Sequence, residues 1–571
     1  HGPRAKTTLY VSQRPTGANR CSNFFGCTLS CPSLQVTRVA LHDMDFTSTY
    51  SYASWNSLAF SPGSTFLAYV DSSTRKSVTV RVVGTLQVVR SWELDEPLDS
   101  LEWSLDGLYL LVSAYSTFQG VSYVLPLDPD ASVTDNSDDG RGWIARIEAA
   151  QGLVHATWLP IRRIPAIVQF FPFHTAIIYS LADQSCTMLP NTALNRVCAL
   201  PSEHFGVVQR EKECDQVCLY TPHTSDAPSL EQPVQWQLYR AVPTNMSHTS
   251  GITWSPDGQF VAVWDHILEY KLSVYTAHGT PQVVLTIQDD DVPSTHVPIS
   301  AAECRSALTP QETGRARRVS LRASRTPSRR LSSGTTRHLS HVLGVRTVAW
   351  HPSSEFLAVG GYDDHVHVLS LSDWSLSYSL DVSVTALSCM ESLPHIWVEP
   401  YRWFDATGGR GIVPMEVSTA ADVPTLLNTQ TLQTGTNWIA WNNDGSVLAC
   451  RNEGMPTAVL LYEFFGLHER SVDAHLRLLG IIVLSSPVRD VVWRPEHACS
   501  LVLVTGQSSV YCWSMNDTQC CEAVAIPNDK FQASHITCSP DGKTLLLADT
   551  HSFCCVVTAT EDAGPSGEAA S

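Results

Sequence analysis

Few side chains in this 571-residue chain stand at the spacings that chemistry would need. His365 and His367 alternate within a short apolar run, so as strand residues they would share a face that a metal could use; a solvated strand face is the plainer reading. Cys27 with Cys31, and Cys214 with Cys218, stand four apart, but neither has a second matching pair. Cys520 beside Cys521, and Cys554 beside Cys555, would point to opposite faces of a strand. The 17 cysteines therefore read as buried reduced thiols. Gly408-Gly409-Arg410-Gly411 lacks the Lys-Ser/Thr that completes a phosphate loop and reads as an ordinary loop. No G-x-S-x-G elbow, no H-E-x-x-H and no glycine fingerprint opening a helix occurs. The expectation is a protein with no catalytic residues, no metal and no cofactor.

Charge is more informative. The formal net charge is -18, so nucleic acid and anionic membrane are not expected partners. Against that background, Arg305, Arg315, Arg317, Arg318, Arg322, Arg325, Arg329, Arg330 and Arg337 crowd one stretch that holds a single acid, Glu312. Rich in serine and threonine and poor in apolar residues, this stretch cannot build a core and is expected to be disordered. Ser320 and Ser332 follow Arg-Arg pairs at the spacing basophilic kinases favour, which makes them candidate phosphorylation sites. Alternatively, the insert could touch the acidic surface of microtubules.

The elements that would position such groups come from a recurring pattern: spaced apolar residues, an aromatic, a polar turn, then a short apolar strand. Its clearest copy is Gly251-Ile252-Thr253-Trp254-Ser255-Pro256-Asp257-Gly258, followed by Phe260-Val261-Ala262-Val263. Proline presets φ, aspartate bonds back to the turn and glycine takes positive φ. The aromatic position or its equivalent falls at 60, 103, 158, 198, 254, 350, 441, 493 and 538, with Trp254 and Trp350 expected to be buried between sheets. Most intervals match a four-stranded propeller blade, about 40–45 residues plus loops. The fold class is therefore all-β, a WD-repeat β-propeller of seven to nine blades of four-stranded antiparallel sheets with disordered inserts. The stretch from Pro394 to Val423 is less patterned and leaves room for a degenerate blade.

Hydrophobic content of 43% suits a substantial core, and no apolar run approaches the roughly 20 residues that span a bilayer. The organisation expected is residues 1–43 as a disordered extension or gene-model artefact, blades over 44–288, and the Arg/Ser-rich disordered insert over 289–341. Further blades over 342–559 and a disordered tail over 560–571 complete it.

Several segments go beyond a generic repeat. Ala262-Val263-Trp264-Asp265 with Leu268-Glu269-Tyr270-Lys271 is the most specific, joined by Val348-Ala349-Trp350, Phe356-Leu357-Ala358-Val359-Gly360, Arg451-Asn452 and Ser486-Pro487-Val488-Arg489. These segments resemble the Wdr-eight family, WD-repeat proteins of fungal spindle pole bodies and animal centrosomes. The resemblance implies a non-enzymatic scaffold in the cytoplasm and cytoskeleton, at the spindle pole body or microtubule organising centre. Its implied partners are an Msd-type coiled-coil adaptor, a kinesin of the fourteenth class and, indirectly, microtubules, with minus-end anchoring and spindle organisation as the role. Arg346, Asp363, Arg451 and Arg489 flank the family-like segments and either line a partner-binding rim or form structural salt bridges. Two rivals stand beside this reading. One is a translation-factor-type propeller, opposed by the acidic charge. The other is a ubiquitin-ligase substrate receptor, whose W-D-x-R docking motif is incomplete because His266-Ile267 follow Trp264-Asp265.

Overall fold

The polar turn organises each blade locally. Ser255 Oγ accepts the Phe260 amide at 3.0 Å, Asp257 Oδ1 accepts the Gln259 amide at 3.0 Å, and Gly258 sits at φ +70°. The same three devices recur at Ser104, Asp106 and Gly107, and again at Ser539, Asp541 and Gly542. Each turn folds the first strand of a blade back onto the second as an antiparallel pair.

In the computed structural model the described residues are 44–128, 145–161, 165–182, 184–199, 204–223, 235–288, 317–322, 343–388, 395–418, 435–465, 475–497, 499–515 and 520–558. They form nine sheets, taken here as blades 1 to 9 in chain order. The first strands are Leu58–Phe60, Ser100–Trp103, His155–Trp158, Thr192–Ala199, Thr249–Trp254, Val345–Trp350, Thr436–Trp441, Asp490–Trp493 and His535–Cys538. Eight of the nine repeat positions read from sequence close these strands; in blade 4 the strand ends at Ala199, one residue beyond the expected 198. The count is the upper end of the expected range.

Blade packing is regular because the register is regular. The last residue of each first strand pairs with a second-strand residue that has no solvent exposure, such as Leu67, Leu110, Ile167, Leu357 and Leu448. Nine hydrophobic clusters each span two neighbouring blades, and the cluster of Leu546 and Phe553 with Leu58 and Leu67 joins blade 9 to blade 1. The indole N–H of the repeat tryptophan reaches the preceding blade. Trp103 donates to the Ala59 carbonyl at 3.1 Å, Trp158 to Glu102 at 3.2 Å, Trp441 to Ala349 at 3.3 Å and Trp493 to Ala440 at 3.2 Å. These four indoles are buried. Trp254 and Trp350, expected to be buried, are only partly covered. Coverage at this position depends on what the neighbours supply: the rings of His351 and Phe464 lie 4.8 and 5.5 Å from Trp441.

Met44–Phe46 is the fourth strand of blade 9, pairing antiparallel with Val556, Val557 and Thr558. Tyr50–Ser51 adds to the same strand, and Tyr52 donates to the Asp549 carbonyl at 2.7 Å. The ring is thus closed by its own N-terminal described residues, which removes the free edges an open sheet array would leave.

Among the described residues the long intervals hold no extra blade. From the stretch around 394–423, His395–Val398 adds in parallel to the outer strand of blade 7, and Ile412–Pro414 adds antiparallel to that of blade 8. Within 289–341, read from sequence as disordered throughout, Arg317–Arg322 is a strand running parallel to Pro281–Gln288 on the outer edge of blade 5. An outer strand presents unpaired N–H and C=O groups, and an adjacent tethered segment can satisfy them. Ser320 lies in this strand, in register with Thr286. Ser332, the N-terminal residues 1–43 and the tail from 560 lie outside the described residues.

Candidate protein-binding face

All first strands run in the same sense, so the loops that enter them share one face of the ring with the loops joining second to third strands. Arg346, Asp363, Arg451 and Arg489 all fall on this face, on blades 6 to 8. The structure joins two of them in one polar network. Arg346 pairs with Glu453 at 2.5 Å and lies over the Tyr362 ring at 5.1 Å. Asn437 Nδ2 also donates to Glu453 Oε1 at 3.1 Å, and Arg451 Nε donates to Asn437 Oδ1 at 3.0 Å. Arg451 then donates to the carbonyls of Val488 and Arg489 at 2.9 and 3.1 Å. The Arg346 guanidinium holds the Glu453 carboxyl below its usual range, while burial lowers the pKa of Arg451. Arg346 and Arg451 therefore tie blades 6, 7 and 8 together. Arg489 is exposed, with no hydrogen-bonded or ion-paired side-chain partner among the described residues, and so is the one of the four presented to solvent.

Asp363 serves the two histidines. His367, buried, meets Asp363 Oδ2 at 3.0 Å, and His365 Nδ1 donates to the Asp363 carbonyl at 2.7 Å. The imidazoles do share a face, stacked 5.8 Å apart, but no group of three or more His, Cys, Asp or Glu among the described residues could hold a metal. Described cysteines are free thiols, and burial pushes Cys218, Cys450, Cys512 and Cys554 up to about 12, so these stay protonated and unreactive. Asp265 of the Trp-Asp pair is buried and accepts the amides of Ser247 and His248 at 3.2 and 3.0 Å, shaping the entry to blade 5. Gly408, Gly409 and Gly411 all have positive φ in the loop after Trp403–Ala406, as the loop reading expects.

Two features of this face escaped the sequence. A cavity of about 520 Å³ opens where blades 3, 4 and 5 meet, lined by His174, Asn191, Thr192, Ala193, Arg210, Lys212 and His248. Large apolar side chains stand exposed on loop tips of the same face: Phe118 and Phe173 are 84% and 74% exposed, and Leu268 67%. Neither feature has a sequence signature, because the residues come from separate loops of different blades.

Four-stranded blades with a Ser/Asp/Gly turn, stacked into a closed ring, define a WD-repeat β-propeller. The chain is 25% identical over 539 residues to WD repeat-containing protein WRAP73 of Mus musculus, an alignment covering 89% of this chain and 95% of the mouse protein. A WD-repeat family is thereby supported, although no family model matches the chain. Among solved structures, the Chaetomium thermophilum Sqt1 bound to the N-terminus of the ribosomal protein L10 is similar at 12% identity and a TM-score of 0.42, covering 90% of this chain and 99% of that one. The C-terminal WD40 domain of Sif2 is similar at 8% identity and a TM-score of 0.39, covering 91% and 97%. Likenesses at that distance carry nothing over to this chain. No described helix is long and apolar enough to cross a membrane.

Proposed function

We propose that this chain is a non-enzymatic protein-binding scaffold that acts in the cytoplasm and cytoskeleton, at the spindle pole body or microtubule organising centre. There it would bind a microtubule-anchoring adaptor of the Msd type and, through it, support minus-end anchoring and spindle organisation. The observation that carries the scaffold reading is the contrast between interior and face. The ring is packed and hydrogen-bonded from blade to blade, while one face presents exposed apolar tips and cations without a partner among the described residues, such as Arg489. Propellers place function on such loops and leave the blades to hold them. The place of action is supported by the resemblance of the Trp264 to Tyr270 segment and its companions to the Wdr-eight family.

Affinity purification of the tagged chain from dividing cells tests both parts. A coiled-coil adaptor and a kinesin of the fourteenth class are the expected co-purifying proteins. Ribosomal proteins would instead select the translation-factor reading, and ligase subunits the substrate-receptor reading; either result overturns the spindle-pole assignment.

A further inference from the structure

The cavity between blades 3, 4 and 5 is the most chemically distinctive opening on the molecule. In a chain of net charge -18 its lining includes two cations, two imidazoles and no acid. Arg210 is anchored beneath it: Nε donates to the buried Asp215 at 2.8 Å, and Nη2 donates to the Ser247 carbonyl at 2.7 Å and to His248 Nδ1 at 2.9 Å. The remaining terminal nitrogen, Nη1, has no partner among the described residues and is left to donate. Lys212, at the tip of the same hairpin, is exposed and likewise has no partner among the described residues. Thr192, 1% exposed, lines the cavity with a hydroxyl that has no hydrogen-bond partner among the described residues. A buried polar atom without a partner is unfavourable unless something supplies one.

The charge balance narrows the ligand. Asp215 already neutralises Arg210, and Glu211 and Glu213 flank Lys212 outside the lining. His248 Nδ1 accepts a hydrogen bond from Arg210, and His174 Nδ1 donates to the Thr192 carbonyl at 3.1 Å, so one nitrogen of each ring is already engaged within the site. What remains suits a monoanion that can accept from a guanidinium, an ammonium and a hydroxyl. A carboxylate meets that description; a dianionic phosphate would lack countercharge.

The surroundings extend the argument. Phe173 adjoins His174, and Ile267 and Leu268 follow His266, whose ring stacks on His248 at 5.7 Å. Exposed apolar tips thus stand on both sides of the cavity, on blades 3 and 5.

We propose that this cavity docks an acidic segment of a partner protein, with a glutamate or aspartate carboxylate entering between Arg210 and Lys212 and flanking apolar side chains lying on Phe173 and Leu268. The proposal rests on the scaffold reading but not on the spindle-pole assignment. Random peptides displayed on phage and selected on the purified full chain provide the probe, with affinities of the enriched peptides measured by fluorescence polarisation. Enriched sequences should carry Asp or Glu beside Leu, Ile or Phe. Lys212→Glu and Phe173→Ser should each weaken binding by roughly tenfold, as expected when a contact of an interface is reversed or truncated. Both positions are exposed, so the variants should keep the wild-type melting temperature, which a thermal melt checks. Enriched peptides without carboxylates, affinities indifferent to both substitutions, or tighter binding when the acid is replaced by phosphoserine would each overturn the proposal. If spindle-pole proteins fail to co-purify while the peptides behave as described, the place of action falls and the docking site stands. If cellular partners are recovered equally by Lys212→Glu and Phe173→Ser, the scaffold stands and the docking site falls.

Discussion

Replacing Glu102 by glutamine should remove a pH-dependent weakness from the ring. Glu102 lies on the first strand of blade 2, where its carboxyl accepts a bond from Thr157 Oγ1 at 3.1 Å and has no ion-pair partner among the described residues. Burial pushes its pKa up from 4.5 to about 7, with the Thr157 bond offsetting only part of that effect. Below pH 4.5 the carboxyl is protonated in folded and unfolded chains alike and contributes nothing to the difference. Between 4.5 and about 7 the unfolded chain releases the proton while the folded chain keeps it, so stability falls as pH rises. Above that window the loss is complete. At about 1.4 kcal/mol per pH unit across the window from 4.5 to about 7 it amounts to roughly 3–4 kcal/mol. A glutamine keeps the shape and stays neutral, so the variant should gain that amount over wild type at about pH 8 and almost nothing at about pH 4. His155 and His351, whose pKa values burial lowers, give the opposite slope, costing stability as pH falls below 6.5. They are common to both proteins and cancel in the comparison. Urea titrations of the two proteins across this range are the assay. Parallel stability profiles would refute the reasoning and show that Glu102 is well solvated.

Trp441→Ala should cost about 3–5 kcal/mol, and Trp441→Phe about 1 kcal/mol for the lost bond to Ala349, both read by denaturant titration. Equal costs would mean that packing against His351 and Phe464 contributes little. Gly445→Ala should destabilise by about 1–3 kcal/mol, because Gly445 has φ +78° and an added Cβ would run into His351; an unchanged melting temperature would contradict this packing. Removing residues 44–51 should lower the melting temperature by several degrees, since the closing strand and its pairing with Ser552–Thr558 go with it; a melt superimposable on the full chain would show that closure contributes no stability. Phosphate on Ser320 would add about -1.5 to -2 charges to the strand on blade 5. Amides of Arg317–Arg322 should then exchange faster with deuterium, and unchanged protection after kinase treatment would exclude a switch there.

The blade repeat was legible because its causes are local. Ser255, Pro256, Asp257 and Gly258 specify a turn by their own conformational preferences, and the flanking apolar runs specify strands, so recurrence alone narrowed the count to seven to nine. Blade 4 was legible only approximately, since its first strand lacks the tryptophan of Trp103 or Trp441 and also the Asp-Gly turn that marks the strand ending at Cys538. Other properties depended on the ring. That Met44–Phe46 completes blade 9 follows from a pairing across some 500 residues, which no window of sequence contains. That Arg317–Arg322 joins blade 5 reflects an open outer edge beside a tethered segment, although composition alone argues for a disordered stretch. Arg346 and Arg451 stood out beside family-like segments, yet only packing of neighbouring blades puts Glu453 and Asn437 between them and turns them into a strut. The cavity of Arg210, Lys212 and Thr192 is a tertiary property altogether: loops of blades 3, 4 and 5 must meet to wall it, and charge counted along the chain averages its two cations away among more numerous acids.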